Sequence, residues 1–304
     1  MRIGTRGSAL ALAQAGSVAE LVGEATLVPI TTSGDRGERG GDKSRWVQEL
    51  EQALLEGDID LAVHSAKDVP GELADGLELL GAPPRGPAED VLCGASGIER
   101  LAPRARVGTS SVRRAAQLSA ARPDLRLVEL RGNVDTRLRR LREPERGLDA
   151  VVLARAGLER LGRGEEAGAA LDPARFVPAP GQGVLALEGR AGDARALAAA
   201  EAISDPATMR CLLAERALAS ALEASCHTPL GAHAVELADG RIRLRAWVGL
   251  PDGSAWAADE LLGAGTEPRA LGREVAGRLI AVGARELLAQ AQADAPRAGA
   301  GAGG

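Results

Sequence analysis

The 304-residue chain has no tyrosine, a single phenylalanine (Phe176) and three tryptophans (Trp46, Trp247, Trp256). So few aromatic faces argue against base stacking as a binding mode. Lysine is nearly missing too: of 37 basic residues only Lys43 and Lys67 are lysine. Cysteine is limited to Cys93, Cys211 and Cys226. That odd number without paired spacing fits a reducing cytoplasm better than a disulfide framework. No apolar run approaches the length of a membrane span. The opening Met1-Arg2-Ile3-Gly4-Thr5-Arg6 reads directly as a strand, with no signal-peptide pattern. There is no excess of positive charge: 42 acids against 37 bases give −5. This disfavours general nucleic-acid or membrane-surface binding.

What is present is an ordinary globular composition, 45% hydrophobic, built mostly from Ala, Leu and Val. The length suits two or three compact domains. Short apolar runs alternate with helical patterns: strands near 2–5, 27–31, 59–63, 90–93, 106–108, 125–130, 149–154 and 184–188, with helices between them. This alternation predicts parallel-sheet α/β structure. The first helix, from about Ala9 to Val22, is expected to turn Leu10, Ala13, Ser17 and Leu21 to one side. The second should bury Val47, Leu50 and Leu54 and close at Gly57. Residues 33–44 have no periodicity and are read as a mobile loop. Two breaker clusters, Pro83–Pro87 and Pro178–Gly183, read as crossings between two α/β units. From Asp205-Pro206 a strong helix begins. Ile242, Leu244, Ala246 and Val248 then alternate with Arg241, Arg243, Arg245 and Trp247, a strand with one exposed face, turning at Pro251-Asp252-Gly253. A final helix from about Arg269 to Gln290 should bury Leu271, Val275, Leu279 and Val282. This third region reads as a small α+β domain with an antiparallel sheet. The expected boundaries are 1–86 with 184–202, then 90–178, then 205–290, with 291–304 a disordered tail.

Two features point to chemistry. The strand Leu61–Val63 runs into His64-Ser65-Ala66-Lys67-Asp68 and stops at Pro70. Strand ends are where α/β scaffolds hold ligands, and one of only two lysines stands here beside an aspartate. A surface ion pair is the plainer alternative. The second feature is charge: between Arg104 and Arg146 twelve arginines face five acids, locally about +7. That suggests an anionic ligand. Arg113 and Arg114 fall in the first turn of a helix capped by the Thr109-Ser110-Ser111 run, where cations oppose the helix dipole. Either an anion at that helix start relieves the conflict or the two arginines are simply solvated.

Taken in order, six stretches resemble the signatures of the porphobilinogen deaminase (hydroxymethylbilane synthase) family. They are Thr5–Ala11, Val63–Pro70, Gly108–Arg114, Leu130–Val134, Pro180–Gly183 and Ser225–Gly231. The resemblance runs from Arg2 to about Gln290. It implies a fold of three domains: two periplasmic-binding-protein-like α/β lobes, the first discontinuous, and a small α+β C-terminal domain with an antiparallel sheet. It implies a cytoplasmic, monomeric transferase that joins four porphobilinogen molecules head to tail into hydroxymethylbilane, releasing ammonia. The primer is a dipyrromethane cofactor held by a thioether to Cys226. Asp68 is the implied catalytic residue, stabilising the azafulvene cation formed by deamination and managing pyrrole N–H protons. Ser65, Lys67, Asp68, Thr109, Ser111, Arg113, Arg114 and Arg131 are implied to bind the cofactor. Arg6, Ser8, Arg131, Arg137, Arg160 and Gln182 are implied to bind porphobilinogen and the growing polypyrrole chain. The pattern departs from the family at Ser225, where glycine is usual, and at Trp46, which takes the place of a phenylalanine behind a shortened loop.

The physical reading agrees with this chemistry. Each pyrrole carries an acetate and a propionate, and arginine pairs with carboxylates bidentately and stays charged. No metal site is expected, because His64 and His227 lack ligand spacing with Cys226. Cys93 and Cys211 sit in apolar patterns and read as core thiols, and His64 as a structural hydrogen-bonding residue. Two other readings compete. A non-catalytic anion-binding module explains the arginines but not Asp68 or the Cys226 loop. A nucleic-acid binder using residues 104–146 conflicts with the acidic total and missing aromatics.

Overall fold

The computed structural model describes residues 1–30, 44–225 and 228–293, with residues 44–46 described by backbone alone. Strand β1 (Arg2–Arg6) leads into helix α1 (Ala9–Val22), strand β2 (Thr26–Ile30), helix α2 (Ser44–Leu55), strand β3 (Leu61–Ser65) and strand β4 (Leu77–Gly81). Helix α1 starts where Ser8, extended at φ −70°, accepts the Ala11 N–H on its hydroxyl. It ends at Gly23, whose φ of +87° no β-carbon favours. Its buried face is Gln14, Ala15 and Val18, not the Leu10–Leu21 stripe, and Leu21 is 58% exposed. An alanine-rich helix carries little amphipathic phase. Here packing on β1 and β3, and a hydrogen bond from Gln14 to Ser65, decide which side turns inward. Helix α2 does bury Val47, Leu50 and Leu54 as its spacing predicts.

The chain then builds a second sheet from β5 (Asp90–Cys93), β6 (Arg106–Thr109), α3 (Val112–Ala121), β7 (Arg126–Glu129), α4 (Val134–Leu141), β8 (Ala150–Ala154), α5 (Arg155–Arg160) and the short β9 (Ala169–Ala170). It returns through β10 (Leu185–Arg190) and α6 (Ala194–Ile203) to the first sheet. The strand orders are β2-β1-β3-β10-β4 and β7-β6-β8-β5-β9. Both sheets are mixed, not purely parallel: β10 runs antiparallel to β3 and β4, and β5 antiparallel to β8 and β9. A chain that leaves a sheet and returns from the other lobe enters it in the opposite sense. The two crossings lie side by side. Gly86 N–H donates to the Gly183 carbonyl at 3.1 Å. Gly183 has φ +86°, and a β-carbon there would sit 2.5 Å from the Gly86 oxygen, so only glycine fits this close approach.

The rest is α7 (Pro206–Ala221), β11 (Leu230–Glu236), β12 (Arg241–Gly249), β13 (Trp256–Ala264), α8 (Pro268–Ala281) and α9 (Ala284–Ala293). Asp205 caps α7 by accepting the Thr208 N–H at 2.9 Å, with Pro206 in the first turn. The antiparallel sheet β11-β12-β13 packs one face on α7, α8 and α9, around Leu218, Leu244, Val275 and Leu279. Its other face is only partly exposed: Trp247 is 5% exposed and packs on Ala116 and Val177 of the second lobe. The expected single C-terminal helix breaks at Gly283, φ +94°, leaving Val282 68% exposed instead of buried. Helix α9 runs to Ala293, three residues into the stretch expected to be disordered, and residues 294–304 lie outside the described chain. Among the described residues no helix is long and apolar enough to cross a membrane.

Candidate active site

The parallel strands β1 and β3 of the first sheet, and β6 and β7 of the second, end at the residues the sequence singles out. Arg6 closes β1 and Ser65 closes β3. Lys67 and Asp68 lie in a single 3₁₀ turn, Ala66–Asp68, both half-buried. That turn is backed by the second crossing. Ala66 N–H donates to the Val184 carbonyl at 3.0 Å, and Gly181, φ +72°, passes so close that a β-carbon would meet Ala66 at 2.9 Å. Ser65 Oγ meets the buried amide of Gln14, with Nε2 at 2.8 Å and Oε1 at 3.1 Å. Gln14 is a neighbour the sequence did not flag, since its apolar-side position on α1 became visible only with the fold.

On the second lobe Thr109 closes β6 and is buried, its Oγ1 accepting the Ser111 N–H at 3.1 Å. Ser111 caps α3, accepting the Arg114 N–H. Arg131 follows β7, is 78% exposed, and pairs with Glu129 at 2.6 Å. Arg137 of α4 is half-buried. Its Nε donates to the Gly132 carbonyl at 2.9 Å and its Nη2 to Ser110 Oγ at 2.7 Å. No carboxylate among the described residues pairs with it. Burial, and then the charge of Arg114, push its guanidinium down to about 10. Arg160 of α5 donates from Nη2 to the Gly183 carbonyl at 2.6 Å. Burial lowers its guanidinium too, against the opposing pull of Glu159.

Three of the residues expected to bind ligand are held by the protein's own groups. Arg113 and Arg114 are buried, not solvated. Arg113 Nη2 donates to Asp90 Oδ2 at 2.8 Å and its Nη1 to the Val177 carbonyl at 2.9 Å. Arg114 donates to Asp90 Oδ1 from Nε at 3.0 Å and Nη2 at 2.7 Å, and to the Val152 carbonyl at 3.0 Å. Burial opposes ionisation of Asp90, but the two guanidiniums hold its carboxyl far below the usual range. Gln182 is also buried, and its Nε2 donates to the Ala88 carbonyl at 2.6 Å and Asp90 Oδ1 at 2.8 Å. Asp90, missed from sequence, is thus the hub. Its only local signal is an acid opening an apolar strand just after a proline cluster.

A second hub ties the C-terminal domain to both crossings. Glu215 of α7, fully buried, accepts Arg85 Nη1 at 2.7 Å and the N–H groups of Gly181 and Ala234 at 2.6 and 2.7 Å. Cys226 and His227 lie outside the described residues, as does the loop 31–43 with the side chain of Trp46. Beside Cys226, Ser225 N–H donates to Thr228 Oγ1 at 2.8 Å, and Thr228 N–H to the Ser225 carbonyl at 3.0 Å. Cys93 and Cys211 are buried, and burial raises both thiols, Cys211 to about 11.

Residues 1–198 match the family described as "Porphobilinogen deaminase, dipyromethane cofactor binding domain", and residues 209–281 match "Porphobilinogen deaminase, C-terminal domain". The chain belongs to the porphobilinogen deaminase family. The porphobilinogen deaminase of Rubrobacter xylanophilus is 46% identical, covering 94% of this chain and 95% of that protein. Those of Deinococcus deserti and Thermus thermophilus are each 44% identical, covering 94% and 95% of this chain and 97% and 98% of theirs. Among solved structures, a nutrient-binding protein from Burkholderia cenocepacia bound to methionine gives a TM-score of 0.41 at 12% identity, over 68% of this chain and 92% of that one. So loose a likeness carries no weight beside the strand orders.

As a porphobilinogen deaminase the chain is a transferase that condenses porphobilinogen into hydroxymethylbilane in tetrapyrrole biosynthesis, with a dipyrromethane cofactor. The cations present suit a polycarboxylate of that kind. Arg137 and Arg160 are half-buried cations without a carboxylate partner among the described residues, and Lys67 lies in the turn that follows β3. A buried unpaired charge is costly until a counter-charge arrives.

Proposed function

We propose that each porphobilinogen is added in the crevice between the ends of β1 and β3 and those of β6 and β7. Asp68 is the acid–base and charge-stabilising group, and Cys226 is the point of covalent attachment. The observation that supports this most is that the Pro178–Gly183 crossing touches both the Ala66–Asp68 turn, at Gly181, and Arg160, at the Gly183 carbonyl, while Arg160 and Arg137 have no carboxylate partner among the described residues. The dipyrromethane, when bound, supplies the primer's free α-carbon. The chain's own groups do the rest. Asp68 accepts hydrogen bonds from pyrrole N–H groups and stabilises the positive charge that develops as ammonia leaves. Ser65, oriented by Gln14, and Lys67 bind cofactor side chains. Thr109, Ser111 and Arg131 offer donors from the second lobe. Arg6, Arg137 and Arg160 meet the incoming acetate and propionate groups, with Ser8 beside Arg6.

Arg113, Arg114 and Gln182 act from beneath. One carboxylate, Asp90, faces two guanidiniums, so a net positive charge remains under the start of α3 without either arginine leaving its partners. We further infer a cytoplasmic monomer with no nucleic-acid partner, from the acidic total charge and the scarcity of aromatic residues.

Intact mass spectrometry tests attachment, and bilane formation tests Asp68. Wild-type protein should carry an added dipyrromethane that Cys226→Ser lacks. Asp68→Asn should keep the added mass and lose about 10³-fold in turnover. An unmodified wild-type mass after expression with ample porphobilinogen, or full activity in Asp68→Asn, contradicts the assignment.

A further inference from the structure

Strand β10 carries a glutamate into the middle of the first sheet. Glu188 stands opposite Ala62 of β3 and Leu79 of β4, and its side chain is 0% exposed. Its Oε2 lies 2.8 Å from Nε2 of His64, itself 5% exposed. No aligned hydrogen-bond donor among the described residues reaches either Glu188 oxygen. The surroundings hold two more ionisable groups. Glu51 of α2 is buried, and its Oε1 accepts the Ala74 N–H at 3.1 Å. Burial pushes its carboxyl up, the Ala74 N–H pulls it down, and Glu188 and His64 act on it in opposite directions. Arg216 of α7 feels the Glu188 charge. It donates to the carbonyls of Val69, Pro70 and Gly71 at 3.3, 2.7 and 3.0 Å. These groups from β3, β10, α2 and α7 gather beneath the segment that begins with Lys67 and Asp68.

An enclosed carboxylate with one close contact is an expensive residue in a strand that otherwise reads Leu-Ala-Leu. A purely structural site would be met at lower cost by Gln or Leu. We infer that His64 and Glu188 are positioning residues for the condensation. The close approach of the imidazole Nε2 to the carboxylate holds the Ala66–Asp68 turn and the charge behind it constant while Asp68 exchanges protons with the pyrrole. His64 is the last inward residue of β3 before that turn, so a change of charge or volume there is passed to Asp68 through four residues of backbone. The inference rests on the reading of Asp68 given above.

The test uses the holoenzyme. Glu188→Gln keeps the shape and a hydrogen-bonding group but removes the charge. It should lower kcat about tenfold, leave KM for porphobilinogen within about twofold, and move the acidic limb of the kcat–pH profile by at least about 0.5 pH unit. Asp68→Asn is measured alongside. If that variant is fully active, the reading of Asp68 fails, whatever Glu188 does. If it is inactive while Glu188→Gln keeps wild-type kcat and pH profile, the present inference alone is overturned. Should Glu188→Gln not fold, the wild-type enzyme decides. The chain has three histidines, His64, His227 and His233, so His227→Gln and His233→Gln assign the imidazole ¹⁵N signals by elimination. A His64 Nε2 proton in slow exchange supports a protonated Nε2 held against the carboxylate. A His64 ring without a proton on Nε2 overturns it.

Discussion

Asp90 Oδ1 accepts two hydrogen bonds from Arg114, at 3.0 Å from Nε and 2.7 Å from Nη2. The two side chains stand 24 residues apart, both almost fully enclosed. That contact, with the parallel one from Arg113, settles why a helix opens with two arginines against its own dipole. Within the fold the answer is a carboxylate brought in from strand β5, not solvent.

Asp90→Asn should therefore destabilise the fold strongly, by about 3–5 kcal/mol in urea unfolding, because two guanidiniums lose their buried counter-charge. The pH dependence has a definite sign. The folded-state carboxyl is held far below its unfolded value. Its stabilisation is complete above about pH 4 and is lost as pH falls from there towards the folded-state value. Wild-type stability should drop in that acid window, and Asp90→Asn should be much flatter across it. Equal slopes in both proteins would contradict the assignment.

Arg137 should behave in the opposite way. Its guanidinium is half-buried, with hydrogen bonds among the described residues to Gly132 and Ser110 only. Arg137→Gln should leave the melting temperature unchanged or slightly raised, yet lower kcat/KM for porphobilinogen by about 100-fold, near 3 kcal/mol of transition-state stabilisation. A variant that loses stability and keeps kcat/KM would show Arg137 to be framework.

Removing the carboxylate of Glu215 strands Arg85 and two backbone N–H groups in the interior. Glu215→Ala should cost about 3–5 kcal/mol, measured by denaturant unfolding. Limited proteolysis should then cut first at the crossings near residues 83–87 and 178–183. Unchanged protease resistance would mean the C-terminal domain is held mainly by its apolar contacts.

Thiol chemistry gives an independent check. Cys93 and Cys211 are enclosed and have raised thiols, so the thiolate fraction at about pH 8 is small. A native holoenzyme whose Cys226 carries the dipyrromethane should react with a disulfide reagent hardly at all. The denatured chain should expose both buried cysteines. Rapid labelling of a native thiol would place a free cysteine at the surface, and peptide mapping would name it.

Several features were legible because they are local. Ser8, Ser111 and Asp205 cap helices through their own next turn, and the strand-to-turn change at Ser65–Asp68 is visible in composition alone. The failures share one cause. Helix α1 is so rich in alanine that its buried side was set by what it packs on, so Val18 went in and Leu21 stayed out. Trp247 was expected on an open face because nothing in β12 announces that α3 lies across it. Val282 fits a continued helical stripe, but Gly283 adopts a left-handed backbone and ends the stripe first.

By itself the sequence determined many of the strands and helices, though not β4, β11 or α6, together with the two breaker clusters, the shortage of lysine around Lys67 and the family signatures. All of these are short-range patterns of propensity and spacing. Only the tertiary structure decided where the charges go. Arginines counted together as one basic segment separate into Arg113 and Arg114, neutralised in part by Asp90, and Arg137, which has no carboxylate partner among the described residues. Partnership between ionisable groups is a matter of distance and burial across strands far apart in the chain. In this protein those distances separate arginines paired with a buried carboxylate from arginines that have none among the described residues.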